Sequence, residues 1–247
     1  LCGMAFLAAG EVPSQGKYGQ VLEKALDYVL SCVRESDGYI TKNGTRMYEH
    51  AFSTMFLAEI YGQSRRQDVG EKLRGAVRCV INSQNKEGGW RYQPTPVDAD
   101  ISVTVSTLQA LRAARNVGIS VPKTVIDAAV KYIKGCANGD GSFNYQIERG
   151  MTRSTFPLTA CGVVALHSAG EYYDRIVDKG IAYLQRFRRT LRFGEYHYMY
   201  GHYYAVQAFY VKGGDAFEDY YKSVTSELLS HQHDYGHWDD DVGDTYA

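Results

Sequence analysis

A glycine closely followed by an aromatic residue recurs along this chain at a nearly constant interval, and this repeat constrains the fold more than any other feature. The aromatic residues of the motif are Tyr39, Trp90, Phe143, Tyr196 and Trp238, at spacings of 51, 53, 53 and 42 residues. A second set of glycines ends apolar helical runs with the same period: Gly10, Gly62, Gly118, Gly170 and Gly213. Glycine suits the left-handed position that follows a helix. Two markers with one period predict a repeat protein.

Each repeat is predicted to contain two different helices. Before the aromatic turn, apolar residues are spaced to form one buried face, as they are within residues 69–81. After the turn, segments such as FPLTACGVVALHSAG are apolar or small on nearly all sides, which is typical of an enclosed helix. This alternation predicts an all-α fold, an α/α toroid of about five to six helix-pair repeats in two concentric layers, with a solenoid as the alternative.

Residues 1–247 are predicted to form a single toroid domain that begins and stops inside inner helices. The opening LCGMAFLAAG aligns with ACGVVALHSAG at residues 160–170, and the closing DDDVGDTYA takes the place of the start of another inner helix. Six inner and five outer helices are therefore expected. The longest apolar runs are shorter than the ~18 residues that a membrane span needs, and no signal peptide is visible, so the sequence names no compartment.

Two of the aromatic turns carry a fuller motif. The segments SQNKEGGW (83–90) and SHQHDYGHW (230–238) both read Gln-x-x-x-Gly-x-Trp, through Gln84 and Trp90 and through Gln232 and Trp238. This motif resembles the QW repeat of squalene–hopene and oxidosqualene cyclases, which share an α/α toroid with protein prenyltransferase β subunits. The chain also resembles bacterial proteins with prenyltransferase and squalene-oxidase repeats. The glutamine and tryptophan side chains are predicted to staple helix ends rather than to catalyse.

The segment Asp98-Ala-Asp100-Ile-Ser102 is the candidate for acid catalysis. Class II terpenoid cyclases use Asp-x-Asp-Asp-Thr, in which a protonated middle Asp is the general acid, so the resemblance implies this role for Asp100 with Asp98 beside it. Ile101 replaces the third Asp and Ser102 replaces Thr, so the motif is incomplete. Helix capping is the alternative for Asp100. Asp244 holds the same position before the last predicted helix and is the third candidate.

No metal and no cofactor are predicted. The resemblance to protein prenyltransferases would require an Asp-x-Cys pair with a distant His as zinc ligands, and no Asp-x-Cys occurs in this chain. The five cysteines have no metal-site spacing, and four of them, Cys32, Cys79, Cys136 and Cys161, lie in apolar helical patterns that predict core thiols.

The stretch GEYHYMYGHYY (194–204) holds five tyrosines and two histidines. Its register places it before an inner helix that begins near His202, and in a closed toroid the starts of the inner helices converge at one mouth of the central cavity. Rings with polar tips suit a ligand-facing surface. The predicted ligand-binding residues are Tyr48, His50, Arg153, Tyr198, Tyr200 and His202, together with the three aspartates.

Three functions remain open from the sequence. The first is a terpenoid-cyclase- or prenyltransferase-like toroid with a central pocket for an isoprenoid-like or other apolar small molecule. The second is a carbohydrate-active toroid with paired carboxylates, and the third is a non-catalytic scaffold for protein partners. A formal net charge of −1 gives no argument for binding nucleic acid.

Overall fold

The helices follow the predicted repeat. The structure, a computed structural model, describes residues 1–44, 46–63, 66–147 and 153–240, and these ranges contain ten α-helices, isolated β-bridges and no strand. The helices are α1 (Cys2–Ala8), α2 (Gly19–Ser31), α3 (Met47–Tyr61), α4 (Gln67–Asn82), α5 (Ile101–Asn116), α6 (Lys123–Gly135), α7 (Phe156–Ala169), α8 (Arg175–Phe187), α9 (Tyr198–Lys212) and α10 (Gly214–His231). The sixth predicted inner helix lies outside the described residues.

One-sided and enclosed helices alternate along the chain. In α8 only Val177, Gly180, Ile181 and Leu184 are buried, and they lie on one face. In α7 all eleven residues from Phe156 to Leu166 are buried, so this helix has neighbours on every side. The helices α3, α5, α7 and α9 come after aromatic turns, and the one-sided helices α2, α4, α6, α8 and α10 come before them, as the sequence predicts. The predicted enclosure of α9 is wrong, because Tyr203, Tyr210 and Val211 of this helix are exposed.

The chain divides into two compact units, residues 1–132 and 133–247. In the first unit α3 packs against α1, α4 and α5, and in the second unit α9 packs against α7, α8 and α10. Helix α6 runs across the division between the units. The prediction that residues 1–247 form a single domain stays a prediction.

Glycines in three aromatic turns lie directly against the backbone of the next one-sided helix. A Cβ atom on Gly88, whose φ is +99°, would lie 2.1 Å from the carbonyl oxygen of Ala128 in α6. A Cβ on Gly141, with φ of +92°, would lie 2.3 Å from the carbonyl oxygen of Lys179 in α8. Gly38 makes the same approach to Gly75 in α4. Only glycine fits such a site, both because of the contact and because of the positive φ.

One detail of the predicted repeat is wrong, and one aromatic turn differs from the others. Gly62 follows α3 with φ of −74°, in the right-handed rather than the left-handed region that Gly118 and Gly170 adopt. The fourth aromatic turn does not bury its ring, because Tyr196 is 61% exposed whereas Trp90 is fully buried. The helices beside both positions, α3 before Gly62 and α8 and α9 around Tyr196, form in spite of these differences.

The cysteines that the sequence predicts to be core thiols lie in or near the interior. Cys79, Cys136 and Cys161 are buried and Cys32 is half-buried, each as a free thiol, and burial raises the pKa of Cys79 to about 11. Within the described ranges, no helix combines the length and the apolar character that crossing a bilayer requires.

Candidate functional site

The turn at Trp90 shows what the QW motif does. The Gln84 side-chain amide donates to the carbonyl oxygens of Gly88 (2.8 Å) and of Val125 in the first turn of α6 (2.9 Å). The indole N–H of Trp90, which is fully buried, donates to the Val80 carbonyl near the end of α4 (2.8 Å). Both side chains donate to backbone carbonyls, and Gln84 thereby joins the turn to the first turn of α6. The staple prediction is confirmed for this turn.

The second full motif repeats these bonds. Gln232 donates to the Gly236 carbonyl (3.0 Å), and the Trp238 indole N–H donates to the Leu228 carbonyl, again ten residues earlier in the chain (2.7 Å). Gln232 is exposed and Trp238 is half-buried, so this turn is less enclosed than the one at Trp90.

Asp100 caps α5. It is fully buried, its backbone is extended, and its Oδ1 accepts from the N–H of Val103 (2.9 Å). Its carbonyl accepts from the Thr104 hydroxyl (2.6 Å), and that hydroxyl oxygen accepts from the N–H of Trp90 (3.1 Å). Asp100 therefore joins the start of α5 to the aromatic turn before it.

Asp98 and Asp100 lie in different surroundings. The Asp98 side chain is 48% exposed and forms an ion pair with Arg91 at 3.1 Å, while Asp100 is enclosed at the helix end. The role of the two aspartates in acid catalysis stays a prediction. Asp244, the third predicted acid, lies outside the described residues.

The second unit contains the same cap without a carboxylate. Thr155 has the extended backbone of Asp100, and its hydroxyl oxygen accepts from the N–H of Leu158 (3.3 Å) at the start of α7. Four residues on, the Thr159 hydroxyl donates to the Thr155 carbonyl and accepts from the N–H of Phe143 in the aromatic turn. Thr155 thus holds the position of Asp100, and a residue without acid chemistry makes the same connections.

His50 is held by backbone on both sides of its ring. Helix α3 begins at Met47, so His50 lies inside its first turn and is fully buried. Its Nδ1 accepts from the N–H of Ile40 (2.9 Å), which leaves Nε2 as the donor to the Ala76 carbonyl in α4 (3.2 Å). Burial lowers the pKa of His50 to about 4. The ring connects a turn and two helices.

Helix α9 begins earlier than predicted, at Tyr198 rather than near His202, so four of the five tyrosines belong to a helix and divide between its faces. Tyr198 and His202, four residues apart, lie together with ring centroids at 4.3 Å and are almost fully buried. His202 Nδ1 lies 2.6 Å from the Tyr220 hydroxyl of α10. Burial lowers the pKa of His202 to about 4 and raises the pKa of Tyr198, which Glu227 beside it raises further.

Tyr200 belongs to the other side of α9. Its hydroxyl lies 3.0 Å from the Cys161 sulfur in α7, and its half-buried ring packs edge-on against Tyr204. Of the remaining predicted residues, Arg153 is exposed in the second unit and Tyr48 is half-buried in the first, near Tyr92. The structure therefore brings Tyr198 and His202 together and places Tyr200 apart from them.

The sequence reasoning missed a small cavity beside His202. The cavity has a volume of about 140 Å³, and its lining includes Arg188, Arg189, Arg192 and Glu227. Among the described residues, none of the three arginine side chains has an ion-pair partner. The signal in the sequence was the run of arginines in QRFRRTLRF (185–193), which begins in the last turn of α8 and continues beyond the helix.

Comparison with known families defines the class of this protein. The family of the squalene–hopene cyclase C-terminal domain matches residues 54–193, more than half of the chain, and the chain belongs to this family. The family match together with the all-helical structure confirms the predicted fold class and the resemblance to the cyclase toroids.

One curated relative is a drimenyl diphosphate synthase from Streptantibioticus cattleyicolor, which is 33% identical over 111 residues. The match covers 45% of this chain and 20% of that protein, so the aligned part is about a fifth of the relative's length.

Proposed function

We propose that this chain is a terpenoid-cyclase-like domain that binds an isoprenoid diphosphate. The observation that carries the proposal is the arginine-lined cavity beside His202, in a chain that belongs to a cyclase family. Guanidinium groups are the preferred partners of phosphate oxygens, because they offer paired N–H donors in one plane. The name of the curated relative contains a diphosphate, which agrees with this class of ligand.

The cavity suits the anionic end of such a ligand rather than its hydrocarbon chain. A volume of about 140 Å³ is small, and three arginines against one glutamate give its lining a net positive charge. Glu227 lies in the same lining but also beside the Tyr198 hydroxyl. The apolar chain of the ligand is proposed to contact aromatic side chains of the second unit that retain exposed surface, among them Tyr200.

The proposal assigns no proton donation to the segment from Asp98 to Ser102. Asp100 caps a helix as Thr155 does, and Asp98 is ion-paired at the surface. The general acid of a cyclase reaction would therefore come from other residues, and this domain would supply binding. His50 and Tyr198, which the sequence predicts as ligand contacts, are proposed to hold helices together instead, whereas His202 both contacts Tyr220 and lines the cavity.

The experiment compares two ligands and two variants. Binding of farnesyl diphosphate and of squalene to the purified chain is measured by calorimetry or by quenching of the intrinsic fluorescence. Arg188→Gln with Arg192→Gln is expected to weaken binding of the diphosphate about tenfold or more, because two charge-assisted contacts are lost. The matched control is Arg186→Gln, since this guanidinium stacks on Phe187 in the same basic run and does not line the cavity.

Three results would contradict the proposal. The wild-type chain binds neither ligand, or squalene binds as tightly as the diphosphate, or Arg186→Gln weakens binding as much as the double variant does. The last result would assign the effect to general positive charge.

A scaffold for protein partners is the second candidate, because aromatic rings are exposed on neighbouring helices. Tyr210 of α9 is 70% exposed and packs edge-on against Phe217 of α10, and Tyr221 next to it is 52% exposed. Exposed aromatic clusters of this kind are enriched in protein interfaces. Self-association or partner capture that Tyr210→Ser abolishes, with diphosphate binding absent, would favour the scaffold. No observation favours the carbohydrate-active alternative, since Asp100 is enclosed.

A further inference from the structure

The turn after α10 brings three potential metal ligands together. The N–H of His233 donates to the His237 carbonyl (2.9 Å), and the N–H of Gly236 donates to the His233 carbonyl (2.7 Å), so the chain reverses over four residues. The two imidazole rings stack with centroids at 4.5 Å, and His233 Nε2 lies 3.0 Å from a carboxylate oxygen of Asp239. One ligand atom from each of the three side chains lies within 4.8 Å of the others, and all three residues are exposed.

The aromatic turn at Phe143 shows that this convergence belongs to the turn itself. There the N–H of Asn138 donates to the Ser142 carbonyl (2.8 Å) and the N–H of Gly141 donates to the Asn138 carbonyl (3.1 Å), the same pattern at the same spacing. The side chains at the first, fifth and seventh positions again meet: the Asn138 amide bonds to the Ser142 hydroxyl (3.0 Å), and to the Asn144 amide in both directions (2.9 Å).

The two trios occupy equal positions but have different chemistry. Amides and a hydroxyl can donate and accept among themselves, so Asn138, Ser142 and Asn144 satisfy one another. Two imidazoles stacked face to face cannot do so, because stacking directs no ring N–H at the other ring. Imidazole nitrogen and carboxylate oxygen are the ligand types that zinc takes in proteins besides thiolate.

We propose that His233, His237 and Asp239 form a binding site for a divalent transition metal of the zinc class, built on the aromatic turn that closes the last described repeat. Three protein ligands leave one tetrahedral position for water or for a group from another molecule. With metal–ligand bonds of about 2.0–2.2 Å, tetrahedral ligand atoms are about 3.3–3.6 Å apart, so no pair of ligand atoms here has to approach by more than about 1.5 Å. The side chains are exposed, and rotation about their χ angles accomplishes this without moving the backbone.

This inference replaces the sequence-based prediction that the chain has no metal site. That prediction considered only the Asp-x-Cys pattern of the prenyltransferases and the spacing of the cysteines. A His-x-x-x-His-x-Asp spacing is not a helical or strand signature, and it defines a site only because the turn brings its three positions together.

The test measures zinc binding to the 247-residue chain directly. Calorimetry with ZnCl₂, and absorbance spectroscopy with CoCl₂ as a reporter of tetrahedral geometry, are expected to give one metal per chain. Loss of an outer partner alone costs 10–100-fold in metal affinity in known sites, so Asp239→Asn is expected to weaken binding by about tenfold or more. The matched control is Asp234→Asn, an exposed carboxylate of the same turn outside the trio, which should change the affinity by less than about twofold.

A second variant keeps the turn folded while removing the ligands. His233→Asn with His237→Ser and Asp239→Asn copies the trio of the Phe143 turn, and it is expected to abolish zinc binding while the far-UV circular dichroism stays unchanged. The proposal is overturned if the wild-type chain binds no zinc at 100-fold excess over protein. It is also overturned if the triple variant retains the affinity, or if Asp234→Asn weakens binding as much as Asp239→Asn, because the metal would then bind elsewhere or to general negative charge.

Discussion

Replacing Asp100 separates a helix cap from a catalytic acid. Asp100→Ala removes the acceptor of the Val103 N–H, a bond of 2.9 Å in a fully buried site. Loss of an N-cap costs about 1 kcal/mol, and a buried donor left without a partner costs about 1–3 kcal/mol. These two costs describe the same bond, so we expect about 2 kcal/mol of lost stability. Asp100→Asn retains an acceptor oxygen and Asp100→Thr reproduces the cap at Thr155, so each should cost about 0.5–1 kcal/mol.

The assay is urea unfolding followed by far-UV circular dichroism, with Thr155→Ala as the matched cap deletion in the second unit. Product formation from farnesyl diphosphate, measured by gas chromatography with mass spectrometry, is recorded for the same variants. We expect Asp100→Asn to leave ligand binding and any product unchanged. The reasoning is refuted if Asp100→Ala is as stable as the wild type. It is equally refuted if Asp100→Asn folds normally and loses a product that the wild type makes.

Three further outcomes are expected. Gly88→Ala should lower the free energy of unfolding by about 3 kcal/mol, because its Cβ would lie 2.1 Å from a carbonyl oxygen of α6 at a positive φ. Gly118→Ala, which has open space around its Cβ, should lower it by about 1 kcal/mol. Similar urea midpoints for the two variants would contradict this prediction. His50 takes up a proton near pH 6.5 in the unfolded chain, but only near its lowered pKa of about 4 in the folded chain. Its contribution to the free energy of unfolding is therefore complete above pH 6.5 and falls by about 2 kcal/mol between pH 7 and pH 5. His50→Gln should flatten this pH dependence, and an equally steep loss of stability in the variant would contradict the prediction. Gln84→Leu, which removes two bonds to backbone carbonyls, should lower the urea midpoint more than Gln232→Leu, which removes one exposed bond.

The sequence predicts the helices well, because their signal is local. The spacing of apolar residues within residues 69–81 gives one buried face whatever the neighbours are, and Val69, Leu73 and Val80 are indeed fully buried. The turn glycines are also predictable from the sequence. Gly88 and a following aromatic residue form a pattern that recurs along the chain, and its glycine is expected to adopt a positive φ, which other residues avoid.

The candidate site is less predictable, because it depends on which helix faces which. Helix α9 starts one turn earlier than the sequence indicates, so Tyr198 is inside a helix rather than before it. In that position Tyr198 is buried. Tyr198 and Tyr200, only two residues apart, then lie on different sides of α9, which no count of tyrosines reveals.

The hydroxyls of Thr104 and Thr159 carry a connection that sequence patterns do not express. Each hydroxyl donates to the cap residue four positions earlier, which is an ordinary local bond. Each also accepts a hydrogen bond from a backbone N–H of the preceding aromatic turn: Thr104 from Trp90, 14 residues earlier, and Thr159 from Phe143, 16 residues earlier. Only the folded turn brings that second partner near, so the threonines could be recognised only by comparing the two repeats in space.

The contact between each turn glycine and the next one-sided helix defines where the chain can be recombined. Because Gly88 touches the backbone of α6 and Gly141 that of α8, an aromatic turn and the following one-sided helix form a matched pair that a chimera would have to inherit together. Gly118 and Gly170 are surrounded by open space, so grafted peptides and crossover points belong there. Exchange of repeats between related proteins is therefore expected to succeed when the joins follow enclosed helices and to fail when they divide a turn from the helix after it.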